Sequence, residues 1–194
     1  KEHGYFLQKF IDNGTAQNID IHYSLNCTQF PDHFIEIWKK FRKVRIHLSI
    51  DDLEERNYYI RFPSDWNQIM KSFDKILKYR DVFNLEVCQT VSALNVYNMD
   101  NFKKFTLDHD LIVAHNYVHY PDHMMVNLIP EEMKHQILDN IQYMREDEIQ
   151  RLKIELFRPH TQKEVNRFYS FMSIMDKTRK VSMLDYLPEW KQYF

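Results

Sequence analysis

The sequence predicts an α/β fold: a partial (β/α) barrel of parallel strands, carrying a helical C-terminal extension. Three observations predict it. Short runs rich in β-branched residues, near 19–24, 44–50, 85–93 and 111–118, alternate with segments whose apolar residues recur at helical spacing. The connections between them are short, as right-handed crossovers of a parallel sheet require. After Pro121 the alternation gives way to helical patterns almost alone, so residues 1–129 read as the barrel portion and 130–194 as the extension.

In order, residues 2–13 read as a helix with Phe6, Leu7, Phe10 and Ile11 on one face, stopped by Gly14. The first strand ends in Ser24, and Asn26-Cys27-Thr28 closes it. Pro31 opens a second helix whose Phe34, Ile35, Ile37, Trp38 and Phe41 turn inward. The second strand, Val44 to Ile50, runs into Asp51 and Asp52. A charged turn is expected over Leu53-Glu54-Glu55-Arg56, and Ser64 is the expected N-cap of a helix over 65–79. The third strand runs on to Ser92, Ala93 and Leu94, followed by a loop and short helix over 95–105. Beyond the fourth strand, Met124 to Ile129 reads as a short extra strand. Helices are expected from Pro130 to about Met144, over 146–158 and over 162–178, with a short terminal helix broken near Pro188.

The totals narrow the function classes. With 44% apolar and 28% charged residues in 194, the chain has a globular composition and can bury a sizeable core. A net charge of −2 gives no electrostatic case for nucleic acid or an acidic membrane surface. No apolar run suits a membrane span, and two cysteines, Cys27 and Cys88, make no disulfide framework. The expected setting is therefore reducing and cytoplasmic. Both thiols read as core or near-core groups. Only two glycines are present, which leaves no Gly-rich phosphate loop. The chain opens on Lys1 directly into a helical pattern, and we read it as a fragment.

In a parallel barrel the ligand sits at the C-terminal ends of the strands. Those ends carry Ser24, Asn26 and Thr28; Ser49, Asp51 and Asp52; Ser92 and Asn95; and His115, Asn116, Tyr117 and His119. Four polar ends suit one small polar ligand bearing hydroxyls and an adenine; the alternative is that they only meet water. On the second strand, alternation puts His47, Ser49 and Asp51 on one face and Leu48 and Ile50 against the helices. His109, His115, His119 and His123 raise a metal reading, though structural histidines explain the same spacing and no third ligand is well placed.

Several segments carry a resemblance. Ser49-Ile50-Asp51-Asp52, followed by Glu55-Arg56-Asn57 and Tyr59-Ile60-Arg61-Phe62-Pro63-Ser64, resembles the ribose-motif strand of twitch-domain-containing radical SAM proteins. Ser24-Leu25-Asn26-Cys27-Thr28 resembles the end of that family's third strand, Thr90 to Tyr97 its fifth strand and exit, and His115 to Val118 with Leu128-Ile129-Pro130 its sixth strand and following helix. Leu184 to Glu189 resembles its tail. The resemblance implies S-adenosylmethionine bound at Asn26, Ser49, Asp51, Ser92, Asn95 and Asn116. It also implies a [4Fe-4S] cluster, radical modification of a substrate such as a peptide, and strands three to six of the barrel. Cys27 and Asp52 stand where the family has glycine. The cluster's Cys-x-x-x-Cys-x-x-Cys loop is absent from these residues and belongs upstream of residue 1. The runner-up is a non-catalytic α/β binding module that keeps the half-barrel without the cluster.

Overall fold

Alternation sorts each strand into two faces. In the second strand Val44, Ile46 and Leu48 are buried, while Arg45, His47 and Ser49 are exposed or half-buried. The computed structural model describes residues 2–194. Its strands are β1 (Asp20–Leu25), β2 (Lys43–Ser49), β3 (Asn84–Val91) and β4 (Ile112–Tyr117). They form one sheet in the order β1-β2-β3-β4, with every pairing parallel. β2 is internal, in register His47 to Ser24 on one side and His47 to Glu86 on the other.

The helices are α1 (Glu2–Asp12), α2 (Ile35–Trp38), α3 (Glu54–Ile60), α4 (Trp66–Leu77), α5 (Met99–Asp108), α6 (Glu131–Asp139), α7 (Glu146–Leu156), α8 (Gln162–Arg179) and α9 (Met183–Tyr186). Ile46, Leu48, Ile50, Val87 and Val113 pack in one apolar cluster with Trp38 of α2, Ile69, Phe73 and Ile76 of α4, and Phe102 of α5. A second cluster joins Val91, Val96, Met99 and Tyr117 to Leu152, Phe168, Met172 and Trp190 of the C-terminal segment. The opposite sheet face carries His22, Ser24, Arg45, His47, Ser49, Glu86, Cys88, Thr90, Ile112 and Asn116, all exposed or half-buried. Parallel sheets usually bury both faces; here, among the described residues, this one is left exposed or half-buried. No helix among the described residues is long and apolar enough to cross a membrane.

Several local expectations are corrected. The segment read as a charged turn is helix α3, where Glu54 and Glu55 meet the positive end of the helix dipole and Asn57 and Tyr59 face the interior. Asp65, not Ser64, caps α4: its carboxylate accepts the Gln68 N–H at 3.2 Å. Ser64 is buried against Asn57. The expected strand over 124–129 is two 3₁₀ turns, Asp122–Met124 and Val126–Leu128, because it meets the sheet through one backbone bond, Ala93 N–H to Met124 O. The helix after Pro31 is α-helical only over α2, and α6 ends at Asp139. Conversely α5 runs ten residues where a short helix was expected.

The two thiols differ. Cys27 is fully buried, and burial pushes its pKa up to about 12. Cys88 is not a core group: it lies half-exposed on the open face, its pKa also raised, by desolvation and then by Glu86. Native-state alkylation read by mass spectrometry is therefore expected to label Cys88 alone, with Cys27 reacting only on unfolding. Equal labelling of both in the folded protein would contradict this packing.

Candidate functional site at the strand ends

Beyond Ser49 the chain turns Ile50 into the core and delivers Asp51 and Asp52, both buried. Asp51 is bonded through every polar group. Its Oδ1 accepts the Thr90 N–H at 2.8 Å, and its Oδ2 accepts Arg61 Nε–H at 2.7 Å. Its carbonyl accepts the side-chain amides of Asn95 (2.7 Å) and Gln89 (2.9 Å). Its N–H, with that of Asp52, donates to Asn57 Oδ1. Asn95 also donates to Thr90 O and accepts the Ser92 N–H at 2.7 Å. Asp51 and Asn95 thus stitch the end of β2 to the end of β3. Buried polar groups require such partners, and here they fix backbone rather than project at a ligand.

The stitching continues inward. Gln89, fully buried, faces His115 Nδ1 across the β3–β4 pair at 2.8 Å. The Gln89 N–H is engaged by Asp51, so its Oε1 accepts and His115 carries the proton on Nδ1. His115 Nε2 is buried with no partner among the described residues. Burial first, then Lys103, Arg145 and Arg151 against the opposing pull of Glu148, lowers the His115 pKa to about 4.

Asp52 is fully buried. It accepts Arg56 Nε–H at 2.9 Å, Asn98 Nδ2 and the N–H of its neighbour Leu53. The far side of the Arg56 guanidinium meets both oxygens of Glu189, at 2.9 and 2.6 Å. Desolvation raises the Asp52 carboxyl above its ordinary range, with Arg56 and Asn98 opposing. The network ties the β2 end, the segment before α5 and the C-terminal tail into one unit.

The candidate residues therefore fall into two groups. Asn26, Ser49 and Asn116 lie on the open side, exposed or half-buried. The carboxamide oxygen of Asn26 is taken by Thr28 N–H and Oγ1–H. Asp51, Ser92 and Asn95 are buried in the frame, and Asp51 bonds to Arg61 and Thr90 rather than to Asn26 or Ser92. Arg56, expected in the charged turn, pairs with Asp52. Sequence reasoning passed over three residues: Thr90, exposed between Asp51 and Asn116; Asn57, which receives two backbone N–H groups; and Gln89. Thr90 was legible from strand alternation. Asn57 and Gln89 were not, since only tertiary structure supplies their partners.

The histidines singled out in the sequence do not converge: His109 bonds Phe105 O, His115 bonds Gln89, and His119 meets Glu155 at 3.0 Å. A cleft of about 620 Å³ opens elsewhere, between Glu54, Tyr58, Trp66 and Tyr186, and contains no strand-end residue of the sheet's open face.

No family model and no curated protein matches the chain. Two solved structures align with it. One is native anSMEcpe with bound AdoMet and Cp18Cys peptide, at 13% identity and TM-score 0.49 over 71% of this chain and 41% of that one. The other is hexahistidine-tagged anSMEcpe with bound AdoMet, at 12% identity and TM-score 0.48 over 71% and 39%. The chain spans about two fifths of their length. At this level the likeness assigns no function.

Two outcomes follow from the frame. Arg56→Met leaves two buried carboxylates facing no cation and is expected to lower stability by about 3–5 kcal/mol in urea denaturation. Asp52→Gly, which the glycine of the resembled motif suggests is harmless, is expected to cost about 3 kcal/mol, because it removes the buried acceptor of Arg56 Nε, Asn98 Nδ2 and the Leu53 N–H while Arg56 keeps only Glu189 as its carboxylate. A loss below about 1 kcal/mol in both would show the network to be solvated.

The second outcome concerns acid. The folded pKa of His115 lies below its ordinary 6.5, so its contribution is complete above pH 6.5 and is lost as pH falls through about 4. The loss is on the order of 3 kcal/mol, at about 1.4 kcal/mol per pKa unit. Denaturation midpoints of His115→Gln should fall less steeply than those of the parent across this window. Parallel profiles would show that His115 does not titrate on unfolding.

Proposed function

We propose that this chain forms the later strands of a radical-SAM-type (β/α) barrel and that its open sheet face receives S-adenosylmethionine at the C-terminal strand ends. The observation that carries the proposal is the uncovered face of an all-parallel sheet, polar where ligands bind such sheets. The residues in the Ser49–Ser64 and Thr90–Tyr97 segments that bear the resemblance are those that build this edge. Ser49, Thr90 and Asn116 face the ligand with hydroxyl and amide groups suited to ribose hydroxyls and an adenine edge, and Asn26 closes the β1 side. Asp51, Ser92 and Asn95 act as positioning residues: they hold the Thr90 backbone and the β2 end in register.

The radical reaction needs a [4Fe-4S] cluster, which supplies the electron for reductive cleavage of the cofactor and is held by thiolates. This chain's own residues do not fit it. Cys27 is buried with a raised pKa, Cys88 sits on the open face, and there is no third thiol. Cleavage therefore belongs to a complete protein, and this chain contributes the adenosyl-binding edge. A peptide is the proposed substrate class, on the resemblance of the Leu184–Glu189 tail.

An amide and side-chain NMR titration with S-adenosylmethionine tests the binding edge directly. Shifts are expected at Asn26, Ser49, Thr90 and Asn116, and smaller ones at Asp51 and Asn95. No shifts at millimolar ligand, or shifts confined to the Tyr58–Trp66 cleft, would overturn the assignment. In a parallel experiment, anaerobic iron and sulfide should give this chain no stable cluster absorbance and no deoxyadenosine under reducing conditions. Either product would show that the chain holds a cluster after all.

A further inference from the structure

We propose that His47, Glu86 and Cys88 form a binding site for a divalent transition metal of the zinc class on the open face of the sheet. The site lies nearer the strand centres than the adenosyl edge and does not depend on that reading.

Parallel register builds it. His47 of β2 stands opposite Glu86 of β3, and Cys88, two residues on, shares the face of Glu86. One ligand atom from each of the three lies within 4.8 Å of the others, and His47 Nε2 is already 3.3 Å from Glu86 Oε2. A tetrahedral zinc ion, with bonds of about 2.0–2.3 Å, holds its ligand atoms about 3.3–3.6 Å apart. Side-chain rotation alone closes the remaining gap, because the backbone already sets the three on adjoining positions of two hydrogen-bonded strands.

The donor set selects the metal. One imidazole, one carboxylate and one thiolate suit zinc, whereas calcium and magnesium take oxygen ligands alone. All three side chains are half-buried, so an ion reaches them from the open face without unfolding. Metal binding displaces the thiol proton: the Cys88 S–H becomes a metal-bound thiolate and the proton passes to water. Three protein ligands leave a fourth position for water, the arrangement that lowers the pKa of a bound water. The His22 ring stands beside it, its centroid 5.2 Å from that of His47.

Cobalt(II) is the spectroscopic probe. Titrated into the reduced chain, it should give near-ultraviolet thiolate-to-cobalt charge-transfer bands and tetrahedral visible bands at one equivalent, and zinc should bleach both. Cys88→Ser should abolish the charge-transfer bands. His47→Ala and Glu86→Gln should each weaken binding by about tenfold or more. His119→Ala should leave binding unchanged, and circular dichroism should show every variant folded. Absence of binding at micromolar cobalt, binding without thiolate bands, or bands that survive Cys88→Ser would overturn the site. Loss of adenosyl binding in the NMR titration would leave these spectra unaffected, so the two proposals fail separately.

Discussion

Arg56 is the cation on which the strand-end architecture depends. It is held between two buried carboxylates from distant parts of the chain, Asp52 just beyond β2 and Glu189 in the tail. A lone carboxylate at either position would face a large desolvation penalty, and one guanidinium offsets both because its planar fork presents donors on two sides. Arg179 adds a second clasp: it donates to Tyr59 O at 2.7 Å and stacks over Phe62, while Tyr59 O–H donates to Asp176 at 2.6 Å. The C-terminal helices are thereby clamped to α3, and α3 to the β2 end.

The clamp has a geometric consequence for the sheet. Because α3 and the tail secure Asp52 from the interior side, Asp51 is free to secure β2 to β3 through Thr90 and Asn95. Adjacent carboxylates thus serve opposite directions, one inward to the helices and one across the sheet. Neither points onto the open face. At the strand ends that face presents neutral hydroxyl and amide groups, while His22, Arg45, Ile112 and the His47–Glu86–Cys88 group lie further back along the strands. A neutral rim suits a ligand that carries its own charges, since no buried protein charge must be desolvated when it binds.

Much of the fold was legible because its signals are local. The four strands announce themselves by β-branched runs, and Leu48 and Ile50 pack against helices as alternation requires. What misled were segments whose local chemistry is overridden by distant partners. Glu54-Glu55-Arg56 is charged enough to read as a solvated turn, yet it is helical because Arg56 finds Glu189, 133 residues away. Met124 to Ile129 has strand-like composition but meets the sheet through a single backbone bond, Ala93 N–H to Met124 O. Which strand-end residues frame the sheet and which stay open was not legible. Polar residues at strand ends look alike in sequence, and only the hydrogen bonds separate Ser49 and Asn116 from Asp51 and Asn95. Cys88 and Glu86 were hidden for a different reason: their partner, His47, lies on another strand.

The two positions where the resembled motif has glycine accommodate their side chains by different physics. Cys27 adopts φ 58, the left-handed region in which an L-residue is disfavoured by about 1–2 kcal/mol. Its thiol is fully buried in the cluster that holds Leu48 and Ile50, and that packing offsets the strain. Asp52 has no such backbone demand. Its side chain turns away from the sheet's open face into the pocket formed by Arg56 and Asn98, so it adds no bulk where a ligand would approach. A side chain at each position is therefore compatible with an open strand edge. It shifts the constraint from ligand approach to folding: the edge stays accessible only as long as the buried thiol and the Arg56 network keep their partners.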